Sequence, residues 1–534
     1  MEIVIRVIWV ILCGFVLHPP VRCETLTLSK YCVQTSMPTC TIRKMTYNNV
    51  TTKFEPEYLH WITEVQFVDS NLKQVPKVFP ILPSLVQFTA QNCRIESIEK
   101  DAFKKAVGVK ILDLTVNHIK DLPDDAFAEV PTLEDLRLGF NEIANLADNT
   151  FRGASNITDL IMNNNKVEAL PVDVFAPLKN LEYINLEYNH IELIDAVTFR
   201  HNLKLKTLLL NNNQLLVFAS SSLAHIPVWN LIDVSYNIIG KISLQSVHTL
   251  KATRSRLTEC NITGPVTRLI IPNNDLRTVK ISNPDSIREL DIRTNQFETL
   301  ADFGELRNVE VLDASNNSLR DISTFSRMKS LKELRLANVN LNSKQENLLD
   351  LSQQITTLDL SENNLLHLNP EHLKSLKKLE KLYIDKNDFA ELPYETLKED
   401  HPSLSELSIA GNLFNCSFLA NILKYCEKHD ILLKVPANFV EWSSYAGVNC
   451  NLTHSKKMKE GEKKMEEKKD EPSHCENTGS VVTTAVSVFV VTVLLTIGIL
   501  IALHATQYLT IHFNRNSMVR QSTLRVYSDS DVGL

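Results

Sequence analysis

The stretch LEYINLEYNHI, residues 181–191, sets apolar side chains at Leu181, Ile184, Leu186 and Ile191 around an asparagine at Asn189. The same spacing, L-x-x-L-x-L-x-x-N-x-L, returns from Val109, Leu133, Ile157, Leu205, Trp229, Val266, Ile287, Val309, Ile355, Leu379 and Leu404. Weaker copies start at Ile62, Leu85, Val247 and Leu331, which makes sixteen from Ile62 to Phe414. Few folds satisfy such a chain. Each L-x-x-L-x-L reads as a short strand with its apolar residues facing in, and one copy cannot bury its own leucines. The copies must stack, strand beside strand and all parallel, to share one continuous core. The expected fold is therefore an α/β solenoid with a parallel β-sheet on its concave face.

The repeated asparagine has a structural task. It satisfies backbone groups at the turn after the strand, which would otherwise be buried unpaired. Asn117, Asn141, Asn165, Asn189 and Asn213 are assigned to the scaffold on this ground. Cys93 falls in the same slot and reads as a buried ladder residue. Cys260 lies seven repeats further on, about 34 Å away at ~4.8 Å per strand, so no bond joins the two. A second column, Phe103, Phe127, Phe151, Phe175 and Phe199, recurs once per repeat at constant spacing and continues with Leu223. These rings are expected to stack as a spine on the convex side. From Trp229 to Leu331 the starts crowd together, at Trp229, Val247, Val266, Ile287, Val309 and Leu331, which predicts a different convex path there.

The two ends of the sequence point to the secretory route. Residues 1–23 hold a short apolar core from Ile3 to Leu17 and read as a signal peptide. The segment from Val481 to Leu503 has no charge and suits a single bilayer-spanning helix. Arg515, Arg520 and Arg525 follow it, as expected for the inner side. N-x-S/T sequons at Asn49, Asn156, Asn261, Asn316, Asn415 and Asn451 all precede the span and mark candidate glycosylation sites.

The layout is then a signal peptide (1–23), an N-terminal cap (24–61), the repeats (62–412), a C-terminal cap (413–453), a charged juxtamembrane stalk (454–480), the span (481–503) and a short cytoplasmic tail (504–534). That places the protein at the plasma membrane with its repeats outside. The caps cover the apolar ends of the array. Cys32 and Cys40 bracket a short loop and are expected to form a disulfide. Cys416, Cys426, Cys450 and Cys475 are the candidates at the other end, bridging within the chain or to a second chain.

The repeats and caps resemble the typical extracellular leucine-rich-repeat proteins. The C-terminal cap of those families opens with N-P-F-x-C-x-C; here Leu413 replaces the proline and Phe418 the second cysteine. Among them the chain is most similar to insect membrane proteins, including the transmembrane branch of the mosquito leucine-rich-repeat immune proteins. Toll-like ectodomains are similar too, but the tail 504–534 is too short for a signalling domain of their kind.

Two patches are candidates for recognition. The position just before the ladder asparagine reads Phe140, Asn164, Tyr188, Asn212 and Tyr236 along repeats four to eight, with Tyr183 close to the middle ring. Aromatic rings with polar tips anchor interfaces; the purely structural alternative is local space filling. In the stretch quoted first, Glu182, Asn185 and Glu187 complete the side chains expected to face outward. The second patch is basic: Arg254, Arg256, Arg268, Arg288 and Arg293, on a chain of net charge −7. It suits an acidic or phosphorylated surface; the alternative is pairing with nearby carboxylates such as Glu289 and Asp291. A glycan on Asn316 would limit recognition to repeats four to eleven.

No catalytic constellation, metal spacing or phosphate loop is present, and the charge gives no reason to expect nucleic acid. The expectation is a non-enzymatic cell-surface recognition receptor or co-receptor without cofactor or metal. It would bind a protein or microbial-surface ligand through the concave face, in innate immunity. The alternative is a cell-adhesion molecule, binding a like or an unlike chain; a homo- or hetero-dimer with another leucine-rich-repeat chain is compatible with both.

Overall fold

A computed structural model describes residues 24–434, apart from 29–32, 37, 48–51, 55–58, 196, 219–222, 224–225, 227–228, 321, 342–350 and 369–372, and in addition 444–445 and 448–449. The leader, the stalk, the span 481–503, the tail, Asn49, Asn451, Cys32, Cys450 and Cys475 lie outside the described residues.

Each of the sixteen copies contributes a strand to one open parallel sheet. The sheet starts at Thr39–Arg43, which pairs antiparallel with Val33–Ser36 and parallel with the first repeat strand, Glu64–Val68. It then advances one strand per repeat and ends on Leu432–Leu433, beside Glu406–Ser408. The register never slips across the middle repeats: Leu112, Leu136, Leu160, Ile184, Leu208 and Ile232 stand opposite one another in turn. All six are fully buried. Side chains alternate across a strand, so a shift of one residue would turn this row outward; the leucines therefore fix the register as well as the core.

The asparagine ladder runs beneath the sheet. Asn189 Nδ2 donates to Met162 O at 3.0 Å, Leu186 O at 3.1 Å and Glu187 O at 3.2 Å, while its Oδ1 accepts from the Val167 N–H at 3.1 Å. Each rung thus ties one repeat to the one before it. Cys93 replaces the amide in repeat two, its thiol donating to Gln91 O at 3.2 Å and Phe67 O at 3.6 Å. Both Cys93 and Cys260 are buried free thiols, pushed up to about 11 and about 12 by burial.

The convex side is built in two ways. In the longer repeats two-residue strands such as Leu193–Ile194 and Val217–Phe218 pair, and the turns between them insert the phenylalanine spine. Ring centroids from Phe103 to Phe199 follow at 5.7, 6.0, 5.9 and 5.6 Å. The shorter repeats have too few residues for such a turn and cross directly. Lys241–Leu244 pairs with Glu259–Ile262, which pairs in turn with Lys280–Asn283, forming a second parallel sheet. The strand Glu259–Ile270 belongs to both sheets and bends between them at Gly264. A Cβ there would stand 2.2 Å from Gln245 O, so only glycine lets the two segments meet.

At the C-terminal end the helix Cys416–Lys428 starts on Asn415, whose Oδ1 accepts the Phe418 N–H at 2.8 Å. Its buried stripe is Leu419, Ile422 and Cys426, at the spacing of one helix face. This corrects the assignment of Cys426 to a disulfide: it is a free, buried thiol, pushed up to about 11 by burial, and it packs as a small apolar residue. Cys40 and Cys416 are disulfide-bonded.

Candidate functional site

In repeats two, nine, thirteen and fourteen the residue just after the ladder position, Arg94, Arg256, Asn340 or Asn364, is in the left-handed backbone region, and the turn after every concave strand contains one such residue ahead of it. That residue stands just before the ladder position in all sixteen repeats: Asp69, Asn92, Val116, Phe140, Asn164, Tyr188, Asn212, Tyr236, Arg254, Asn273, Thr294, Asn316, Asn338, Glu362, Lys386 and Gly411. The column lies at the C-terminal edge of the sheet rather than on its face, since Tyr188 follows the strand Tyr183–Asn185 by three residues.

The left-handed conformation explains half of the sequence pattern. Asparagine, aspartate and glycine enter that region at low cost, and they fill eight of the sixteen places. The aromatic and β-branched occupants are the exception. For such residues the conformation costs about 1–2 kcal/mol each. Burial does not offset the cost, because Val116, Phe140, Tyr188 and Tyr236 are 48%, 53%, 52% and 48% exposed. Strained backbone that local packing does not reward points to a role outside the fold.

Two of the candidate patches meet in this column. Arg254 follows Tyr236 in it, with its guanidinium carbon 5.9 Å from the ring centroid. The contact is at the outer limit for cation–π attraction and leaves the charge in water. The other arginines divide. Arg268 grips Glu289 with two hydrogen bonds, at 2.6 and 3.2 Å. Arg293 lies between Asp291 at 3.3 Å and Asp313 at 3.6 Å. Arg288 donates to the Asp285 carbonyl at 3.1 Å. Those three are occupied by their own neighbours, whereas neither Arg254 nor Arg256 has an ion-pair partner among the described residues. Tyr183 stands half-buried on the sheet, with its hydroxyl held above its usual range by burial.

The strand positions are less free than the repeat pattern suggested. Asn185 is buried, with its Oδ1 accepting the Glu187 N–H at 3.0 Å. Asp113, Asp233, Asp291, Asp313 and Asp359 do the same for the residue two places on, at 3.0–3.2 Å. These carboxylates hold the turn that sets up the edge column. The D-x-S/T spacing in LDLT, IDVS, LDAS and LDLS carries that signal, which the repeat pattern alone hides.

Asp291 carries a cost for this service. Burial pushes its carboxyl up to about 6, beyond what nearby Arg293 restores, and Asp313 adds to the rise. An acid whose folded pKa lies above its unfolded value of about 3.9 keeps its proton longer in the folded state. Stability therefore falls as pH rises from about 4 to 6, and the full cost of about 2–3 kcal/mol is present above pH 6. Asp291→Asn keeps the turn bond. It is expected to raise the urea midpoint at pH 7 and to lose that advantage near pH 4; equal gains at both pH values would contradict the assignment.

Of the sequons, Asn156 and Asn316 are exposed while Asn261 and Asn415 are partly covered. Asn316 occupies the edge column in repeat twelve, next to Asn338, whose amide donates to it at 2.9 Å.

The chain carries leucine-rich repeats: a leucine-rich-repeat model matches residues 83–143, 131–191 and 155–215, and a BspA-type leucine-rich-repeat region matches 303–429. It is similar to mouse nephrocan, 30% identical over 156 residues, which is 28% of this chain. The match spans only 30% of nephrocan's own length. Among solved structures, the Drosophila Toll–Spatzle complex is similar at 19% identity and a TM-score of 0.55, over 75% of this chain and 59% of that one. That likeness shows the parallel solenoid. A mosquito APL1 leucine-rich-repeat domain matches at 22% identity, over 79% of this chain and 98% of that one, at a TM-score of 0.49.

Proposed function

We propose that the protein is a non-enzymatic, extracellular recognition receptor that binds a protein or microbial-surface ligand along the left-handed edge column from Phe140 to Arg254. One observation carries this reading. Phe140, Tyr188 and Tyr236 are held half-exposed in strained backbone where asparagine would fit at lower cost. Large rings at low rotamer cost are what an interface uses as anchors. Arg254, with no ion-pair partner among the described residues, adds a positive end to the same column. The span at 481–503 would tether the receptor to the plasma membrane. The setting we propose is innate immunity, on the resemblance of the repeats and caps to the insect proteins.

The test separates binding from folding. Tyr188→Asn together with Tyr236→Asn places residues suited to the left-handed region at both sites. Stability should rise by about 0.5–1 kcal/mol per site, while ligand capture by cells displaying the full chain falls about ten- to a hundredfold. Microbial surfaces and soluble extracellular proteins are the ligand pools to offer. Capture unchanged in the double variant would refute the edge column as the site. Aggregation of cells displaying the chain, with nothing captured from either pool, would move the reading to adhesion.

A further inference from the structure

The convex side carries an open groove that the edge column does not use. It covers about 550 Å³, where the two-residue convex strand Val217–Phe218 gives way to the second sheet. One side of it is apolar, formed by Leu216, Val217, Phe218, Ile239 and Ile242, and the other is polar, with Lys241, Ser243, Thr258 and Glu259. Leu216 and Val217, adjacent aliphatic residues, are 55% and 53% exposed. The groove follows from the change of repeat length. Val217–Phe218 pairs back to Leu193–Ile194, and Lys241–Leu244 pairs forward to Glu259–Ile262, so no backbone ladder closes the gap between them among the described residues.

Asn261 of the sequon Asn261-Ile262-Thr263 lines the polar side of this groove. Its neighbours in the strand, Cys260 and Ile262, are buried, so alternation turns Asn261 and Thr263 outward. The Lys241–Glu259 ion pair at 2.6 Å stands on the same side. We propose that an N-linked glycan on Asn261 lies back into this groove, with the apolar faces and acetyl methyls of its core N-acetylglucosamine units covering Leu216 and Val217. The glycan acts as the missing convex element at the junction of the two repeat types. Its hydroxyls face water and the ion pair, and the aliphatic surface loses contact with solvent. Carbohydrate attached beside the groove reaches it without the loss of freedom that a separate ligand pays. Asn156 provides an internal comparison: it is exposed and stands away from this groove, so its glycan would stand in solvent.

The inference rests on the extracellular reading, and the experiment keeps the two apart. The full chain is produced in secretory cells and its glycopeptides are mapped by mass spectrometry. Asn261 is expected to be occupied, and to be released by endoglycosidase from the folded protein several-fold more slowly than Asn156. Hydrogen exchange of peptides spanning 214–218 and 239–243 should speed up in both Asn261→Gln and Thr263→Ala, two different ways of removing the same glycan. Occupancy at Asn156 or Asn316 with Asn261 bare would overturn this inference alone. So would release at the Asn156 rate with exchange unchanged. A chain with no glycan on any sequon would sink the extracellular reading itself.

Discussion

Phe151→Ala should lower the stability of the array by about 3–5 kcal/mol. Phe151 is fully buried and stands in the middle of the spine, 6.0 Å from Phe127 and 5.9 Å from Phe175. Its loss removes a large apolar side chain from the core. It also removes two stacked contacts, each worth about 0.5–1.5 kcal/mol beyond the area buried. The gap cannot collapse easily, because the repeats on both sides are held in register by the concave sheet. A graded series makes the cause visible. Leucine already occupies the next place in the column at Leu223, so Phe151→Leu should cost only about 1–2 kcal/mol. Phe127→Ala, fully buried between Phe103 at 5.7 Å and Phe151 at 6.0 Å, should cost about as much as Phe151→Ala. Urea midpoints of the three variants against the parent decide the matter. A loss under about 1 kcal/mol for Phe151→Ala would show that the spine is not a packed column.

Asn189→Leu should cost about 2–4 kcal/mol, a smaller loss than the number of bonds broken suggests. Met162 O keeps a donor from Asn165 Nδ2 and Leu186 O keeps one from Asn213 Nδ2, each at 2.9–3.0 Å. The Val167 N–H has no such reserve: its acceptor is Asn189 Oδ1, and a buried donor without an acceptor costs about 1–3 kcal/mol. Asn189→Cys should fall between leucine and the parent, because Cys93 shows that a thiol in this slot still donates to two carbonyls. Thermal unfolding of the three proteins should give the order parent, cysteine, leucine. Cysteine as damaging as leucine would mean that thiol donation contributes nothing to the ladder.

Both variants touch residues whose role is legible without coordinates. A side chain that recurs at the same place in every repeat must meet its own copies in a stacked solenoid, so Phe103 to Phe199 could only be a spine and Asn117 to Asn213 only a ladder. Cys93 was readable too, as an occupant of that ladder. The candidate site was less so. Tyr188 and Tyr236 stood out as an aromatic alternation, yet nothing in the repeat pattern marked their left-handed backbone or their place at the sheet edge. Asn185 looked free and is folded into the turn. Arg254, Arg268 and Arg293 were equivalent as charges in sequence, and their separate fates depend on where Glu289, Asp291, Asp313 and Tyr236 come to lie in adjacent repeats. Cys426 belonged to the cap cysteines by type and to the apolar face of a helix by position.

Periodicity alone therefore determined which residues are hidden, how the strands align and where the core runs, because a short repeat has no other way to remove its leucines from water. The tertiary structure decided what remains free on the surface. That depends on contacts between side chains one repeat apart, and on backbone angles imposed by the turn. Neither is encoded in the identity of a single repeat.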